Sequence, residues 1–290
     1  MTDIAAKAGK KKEPVNWWAE LRGLFFLLLG VVAFHSLIAK PFYIPSMSMM
    51  PNLHVGDRLI VSKYPYGYNW SSASFHVLPP FAGRLFGSTP EYGDIVIITP
   101  KDSKIDYIKR VVGLPGDTIA VQNGQIILNG ETVPQEVQPE MEVNVDLNSP
   151  CDDLSFPRLK TQNSNGREIC VLPILRETLP NGASYDITDV EEQPLDNFAE
   201  IEIPEGHVFV MGDNRDNSAD SREVSERGGL DGPIPLENIG GRAEFTTFSL
   251  DGTATFNPLT WWNALRGERA WQSLRTEKIP TGSLEMEAAE

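Results

Sequence analysis

Two serines, Ser46 and Ser48, sit between Pro45 and Pro51 in the stretch 42–57, which reads Phe-Tyr-Ile-Pro-Ser-Met-Ser-Met-Met-Pro-Asn-Leu-His-Val-Gly-Asp. Each proline fixes its own φ and biases the residue before it toward extended backbone, so Ser46, Met47 and Ser48 lie on a stiff, non-helical segment. Such a segment can present a hydroxyl as nucleophile and hold a backbone N–H beside it; the same residues also suit a plain turn. A serine nucleophile needs a base. The chain has four histidines and lacks the Gly-x-Ser-x-Gly elbow, which disfavours an α/β-hydrolase triad. His54 falls in a turn and His207 opens a strand, both ordinary structural positions. A lysine serves instead where burial strips its proton, because a low dielectric disfavours the ammonium. Bringing its pKa from about 10.4 to near 8 takes roughly 3 kcal/mol of differential destabilisation. Strand alternation over 105–112 places Ile105, Tyr107, Lys109 and Val111 on one face and Asp106, Ile108, Arg110 and Val112 on the other. Lys109 therefore has apolar and aromatic neighbours and can meet that demand, the alternative being a surface lysine that snorkels. Arg110 cannot, because a guanidinium keeps its proton.

These groups need elements to position them. With 290 residues, 41% of them hydrophobic, the chain can bury a real core, and its net charge of -15 argues against nucleic-acid binding, which needs a basic face. Residues 1–22 form a basic segment that is polar up to the pair Trp17-Trp18 and carries Lys7, Lys10, Lys11 and Lys12. Residues 23–39 contain no Asp, Glu, Lys or Arg, and about 17 such residues meet the lower limit for a membrane-spanning helix. A cleaved signal peptide would need small residues at both key positions of its cleavage site, yet Leu37 precedes Ala39 by two. A retained single span is expected, with the preceding lysines holding the N-terminus in the cytoplasm. At about 3.5 Å per residue, Ser48 then lies within about 30 Å of the span, at the membrane surface.

Beyond the serines, 58–63 and 94–99 read as strands, the second buried on both faces, and 64–93 reads as a long loop carrying Trp70, Phe75, Phe81 and Phe86. Two runs flanking Asn123-Gly124 form the clearest hairpin signal. From 131 to 202 the sequence turns acidic, proline-bearing and weakly periodic, as an inserted cap would, and contains Cys151 and Cys170, expected to pair on the oxidising side of the membrane. Strand character returns at 207–211, then comes the Asx- and Ser-rich turn 212–222, in which Asp220 and Arg222 are placed to pair. That turn is not a calcium loop, since its sixth position from Asp213 is Ser218 rather than Gly and its twelfth is Val224 rather than Glu. A last strand covers 242–248, and the tail 257–275 interleaves Trp261, Trp262, Leu265 and Trp271 with arginines, which fits an interfacial helix or a core-packing one.

Three runs then resemble one family. Ile44-Pro-Ser-Met-Ser-Met-Met-Pro, Tyr107-Ile-Lys-Arg-Val-Val-Gly-Leu-Pro-Gly-Asp and Gly212-Asp-Asn-Arg-Asp-Asn-Ser-Ala-Asp-Ser-Arg, in that order after an apolar segment, are similar to the bacterial type I signal peptidase (leader peptidase) family of serine/lysine peptidases. The resemblance implies Ser48 as nucleophile and Lys109 as general base. Ser46 takes the place of the oxyanion-hole hydroxyl that acts with the Ser48 N–H, and Ser218 that of the serine orienting the lysine. Tyr107 packs nearby and Asp220 with Arg222 forms a supporting pair. Phe42, Ile44, Met49 and Ile108 fall where the family lines shallow pockets for small side chains, implying cleavage after Ala-x-Ala-like sites. Met47 stands where many members have glycine. The expected fold is mainly β: an antiparallel core in two parts (40–130 and 203–256), the cap 131–202 between them, one transmembrane helix (23–39) and a tail (257–290). No cofactor and no metal are expected. The implied partners are secretory preproteins and phospholipid, and the implied place is the bacterial inner membrane with the catalytic part on the outer side. A self-cleaving repressor of the LexA type and a tethered β domain that binds exported chains without cutting them are the alternatives.

Overall fold

The computed structural model describes residues 16–69, 72, 83–100, 105–152, 156, 158–255, 257 and 260–278. Trp70, Phe75, Phe81 and the four N-terminal lysines lie outside them. Helix α1 runs over Trp17–Leu37, its first turn capped by the Asn16 side chain, which accepts the Ala19 N–H at 3.2 Å. It begins at the tryptophan pair and stops before Ala39, which already belongs to a strand. None of its residues is buried, and at 21 residues it is about 31 Å long, the thickness of a bilayer's hydrocarbon core. By length and composition α1 is apolar enough to cross a membrane, and none of it is buried in the rest of the protein. The hydroxyl of Tyr68 donates to the Leu37 carbonyl at 2.8 Å, fastening the helix end to the domain.

The strands in chain order are β1 (Ala39–Tyr43), β2 (Asp57–Ser62), β3 (Ile95–Ile98), β4 (Tyr107–Gly113), β5 (Thr118–Gln122), β6 (Gln125–Leu128), β7 (Glu131–Thr132) and β8 (Gln135–Asn144). They continue as β9 (Lys160–Gln162), β10 (Glu168–Thr178), β11 (Ala183–Ile187), β12 (Phe198–Glu202), β13 (His207–Met211), β14 (Ile234–Pro235), β15 (Ile239–Ser249) and β16 (Glu277–Lys278). A seven-stranded sheet has the order β1-β2-β15-β3-β4-β13-β14, and its named pairings are antiparallel. A four-stranded sheet (β12-β5-β6-β7) contains the expected hairpin, with Asn123 at φ 50 and Gly124 at φ 79, as a two-residue turn of the favoured hand requires.

Most of the stretch read as an inserted cap forms a third sheet. β8, β10, β11 and β16 lie side by side with β9 added to β10. Its periodicity is weak in the sequence because most β8 side chains are exposed or half-buried, so little apolar alternation marks it. Cys151 and Cys170 are joined here, with Cα atoms 5.7 Å apart, and both are buried against Phe156 and Leu172.

The tail departs from both expectations. Among the described residues, α2 (Trp261–Ala264) and a single 3-10 turn (Gly267–Arg269) are the helical pieces; the chain then crosses the core, with Leu274 packed into the apolar cluster under β2 and β3, and reaches β16 against β11. Charge pins it there. Arg266 meets Asp146 and the Val55 carbonyl (2.8 Å), and Arg269 forks onto Asp57 at 3.0 and 2.7 Å while also reaching the Asn52 carbonyl. Asp57 is wholly buried and also accepts the His54 N–H at 2.9 Å, so one carboxylate binds the tail to both ends of the turn that follows Ser48. Removing Arg269 would leave that carboxylate buried and unpaired. Arg269→Ala is expected to cost about 3–5 kcal/mol in urea denaturation. Arg275→Ala, which removes a half-exposed partner of Glu244, is expected to cost about 0.5 kcal/mol or less.

Candidate active site

Ser48 lies in the turn between β1 and β2, Lys109 in the middle of β4, and the turn 212–222 follows β13 directly. β4 and β13 are neighbours, with Arg110 opposite Met211, so the pairing carries the turn past Lys109. Lys109 Nζ donates to Ser48 Oγ at 2.9 Å, and the two residues are only 3% and 7% exposed. The strand face is the expected one: Val96 is the cross-strand partner of Lys109, and it packs in one apolar cluster with Tyr107 and Val111. The two serines stand together, with Ser46 Oγ 3.5 Å from Ser48 Oγ on the exposed side. Met47 keeps a negative φ and rests half-buried against the Cys151–Cys170 cluster, so a side chain there is unstrained.

Hydrogen bonds from the turn hold the serine loop from behind. Asn214 donates its N–H to the Ser48 carbonyl at 3.1 Å and its amide to the Met47 carbonyl at 3.2 Å. Asn52 donates to Asp213 Oδ2 at 2.8 Å. Gly212 is required by this close approach, since a Cβ there would collide with Ser218 Oγ and the Ser48 carbonyl. Asp220 is fully engaged: it accepts from the Gly212 N–H (2.9 Å), the Ser218 hydroxyl (2.8 Å) and Arg222 (3.0 Å at both oxygens). Asp213 accepts a two-pronged bond from Arg110, at 2.7 Å on each oxygen. Arg110 in turn lies over the Tyr185 ring at 4.1 Å.

These partnerships set the charge state of the lysine. Burial pushes the Lys109 ammonium down to about 8, against the opposing pull of Asp220 and Asp213 and with a small push from Arg222. Burial alone would raise Asp220, but the Arg222 guanidinium beside it and its hydrogen bonds hold it below the usual carboxylate range. His54 is no rival base: burial first, then Arg269, pushes it down to about 4, and its Nε2 is 3.1 Å from the Pro51 carbonyl.

Of the residues singled out from sequence, Ser46, Ser48 and Lys109 converge within hydrogen-bonding range, and Asp220 with Arg222 forms a buried ion pair. Ser218 lies beside them, but its hydroxyl is spent on Asp220 and makes no hydrogen bond to Lys109. Ile44, Met49 and Ile108 share one apolar cluster with Phe42 packed against it, all but Phe42 nearly covered. Asn214, Asp213 and Asn52 were not singled out. The Asx-rich turn was the available signal, but its side chains bond across to the serine loop rather than only to their own backbone.

The comparisons with known proteins fall on the same stretch. The sequence profile of the family described as signal peptidase, peptidase S26, matches residues 17–248. A protein of Rickettsia typhi named signal peptidase I is 32% identical over 84% of this chain and 82% of its own length. One of Rickettsia bellii with the same name is 33% identical over 82% of this chain and 74% of its own. Among solved structures, a signal peptidase I from Enterococcus faecalis covers 53% of this chain and 97% of its own at 20% identity, and its TM-score of 0.28 is too low to carry over any feature. The profile spans most of the chain and the relatives most of their own length, so this chain belongs to the signal peptidase family of S26 peptidases, hydrolases that remove signal peptides.

Proposed function

We propose that the chain is a membrane-bound serine endopeptidase that releases exported proteins after Ala-x-Ala-like sites, with Ser48 as nucleophile and Lys109 as base. The observation that carries this reading is the 2.9 Å line between Lys109 Nζ and Ser48 Oγ in a site closed to solvent. Neutral Lys109 takes the Ser48 proton as Oγ attacks the scissile carbonyl. The oxyanion forms beside the Ser48 N–H and the Ser46 hydroxyl, which are held on the loop that Asn214 braces. The lysine ammonium then protonates the leaving amine, the signal peptide remains as an ester on Ser48, and Lys109 draws a proton from the water that hydrolyses it. Tyr107 and Val96 keep water from the amine, and Ser218, Asp220 and Arg222 hold the wall behind it. Phe42, Ile44, Met49 and Ile108 would form a shallow apolar floor, which favours alanine-sized side chains.

α1 would anchor the enzyme with its N-terminus in the cytoplasm and its catalytic part outside the inner membrane, where preproteins present their cleavage sites. Ser48 follows the end of α1 closely, so cleavage would occur at the membrane surface, where an embedded substrate is concentrated.

Ser48→Ala and Lys109→Ala are each expected to lower kcat/KM for a preprotein with an Ala-x-Ala site by about 10³-fold or more, assayed in detergent with added lipid. A folded Ser48→Ala protein with full activity would overturn the reading in favour of a binding domain or another nucleophile.

The pH profile follows from the lysine. Only neutral Lys109 accepts a proton, so kcat/KM rises with pH through a midpoint near 8. The unfolded lysine keeps its proton to about 10.4 while the native one loses it near 8. Between those values the unfolded state binds more protons, and the lysine's contribution to stability rises with pH. Asp220→Asn removes a negative charge that favours the ammonium, so the midpoint of its activity profile is expected to move to lower pH.

A further inference from the structure

Three carboxylates with no part in this chemistry meet on the far side of the same turn. One oxygen each from Asp189, Asp196 and Asp216 lies within 4.8 Å of the other two. They come from separate segments: Asp189 follows β11, Asp196 ends the single-turn helix Pro194–Asp196, and Asp216 belongs to the 212–222 turn. Two of the three have an oxygen without an N–H donor, and Asp189 and Asp216 are close enough to share a proton. Asp196 is 4% exposed; its Oδ2 accepts the Gln193 N–H at 2.7 Å, while its Oδ1 is shut from solvent without a partner. Asp216 spends Oδ2 on the N–H groups of Val190 and Glu191, at 2.7 and 3.2 Å, and its Oδ1 is likewise buried and unpartnered.

Buried carboxylate oxygens are ordinarily satisfied, so two without a donor in one three-carboxylate cluster call for a positive occupant. Arg215, the neighbouring guanidinium, is already committed to Glu177. The Asn123-Gly124 hairpin covers the cluster: the Gly124 N–H donates to the Asp196 carbonyl at 3.0 Å, and a Cβ on Gly124 would strike Asp189 Oδ2.

We infer that Asp189, Asp196 and Asp216 form a binding site for a hard divalent cation, calcium, distinct from the serine/lysine site. All-oxygen, anionic donors select such ions over zinc or copper, and oxygens this close fit one ion with bonds of about 2.3–2.6 Å. Calcium is favoured over magnesium because it accepts irregular oxygen sets, such as three segments of different origin supply, whereas magnesium demands near-ideal octahedral geometry. A bound ion would clamp the end of β11 and the 194–196 helix to the turn that carries Ser218 and Asp220.

The test is direct binding to the full-length protein in detergent, stripped with chelator, at about pH 7.5. Titration calorimetry with CaCl₂ is expected to show one site with a Kd of about 10⁻⁴–10⁻³ M, in the range of calcium sites outside the cytoplasm. Roughly 10 mM CaCl₂ should raise the unfolding midpoint by about 3 °C. Asp189→Asn and Asp216→Asn should abolish both effects, and Glu140→Gln, an exposed acidic control, should leave them intact. Absence of binding and of a midpoint shift in the wild type overturns the site, and an equal response to MgCl₂ overturns the choice of calcium. If Asp189→Asn raises the midpoint of the metal-free protein and calcium has no effect on the wild type, a shared proton balances the cluster and the inference fails. None of these readouts depends on peptide cleavage, so they stand apart from the serine/lysine reading.

Discussion

The site depends on keeping one amine out of water without giving it a carboxylate to pair with. A lysine 3% exposed would ordinarily acquire a salt bridge, and a salt bridge would restore its proton. Two aspartates are close enough to act on Lys109, yet each is already taken. Asp213 is held by Arg110 and Asp220 by Arg222, both through two-pronged bonds. The arginines thereby act on the lysine indirectly: they draw the carboxylates' hydrogen-bonding capacity away, and burial is left as the dominant influence on Nζ.

The same device holds the fold together. Arg269 on Asp57, Arg215 on Glu177, Arg110 on Asp213 and Arg222 on Asp220 are all buried, and the first three join segments far apart in the chain. Such pairs add little net stability over well-packed apolar residues, because desolvating two charges offsets their attraction. Their effect is positional. A guanidinium presents a rigid fork, so each pair specifies where two segments meet and in what orientation. Asp57 and Arg269 locate the end of the serine loop against the tail. Asp213 and Arg110 locate the start of the 212–222 turn against β4, and from there Asn214 reaches the backbone of Met47 and Ser48. Positional accuracy of this kind matters most in a loop, which has no ladder of its own to hold it.

Much of the arrangement can be read from residue order alone, because it follows from local rules. Two prolines stiffen the serine segment, a period of two puts Lys109 on the face of Tyr107 and Val111, Asn-Gly makes the hairpin, and an uncharged run makes the first helix. The order of the strand-like runs places the core as mainly β. Other features depend on partners remote in sequence and have no local signature. The 131–202 region hides its sheet because β8, which pairs along most of β10, is largely solvated and shows little apolar alternation. The tail looks like one helix from its tryptophans and arginines, but Asp57 and Asp146 pin Arg269 and Arg266 to the core, and helix survives only in short turns. Ser218 lies two residues before Asp220, and only the folded turn shows its hydroxyl donating to that carboxylate. By itself, then, the sequence determined the apolar first helix, the strand faces and the runs that hold Ser48 and Lys109, since these rest on spacing and polarity within a few residues. The tertiary structure decided the 2.9 Å contact, the neutral tendency of the lysine and the meeting of three aspartates, since each depends on distances and burial created only when distant segments pack.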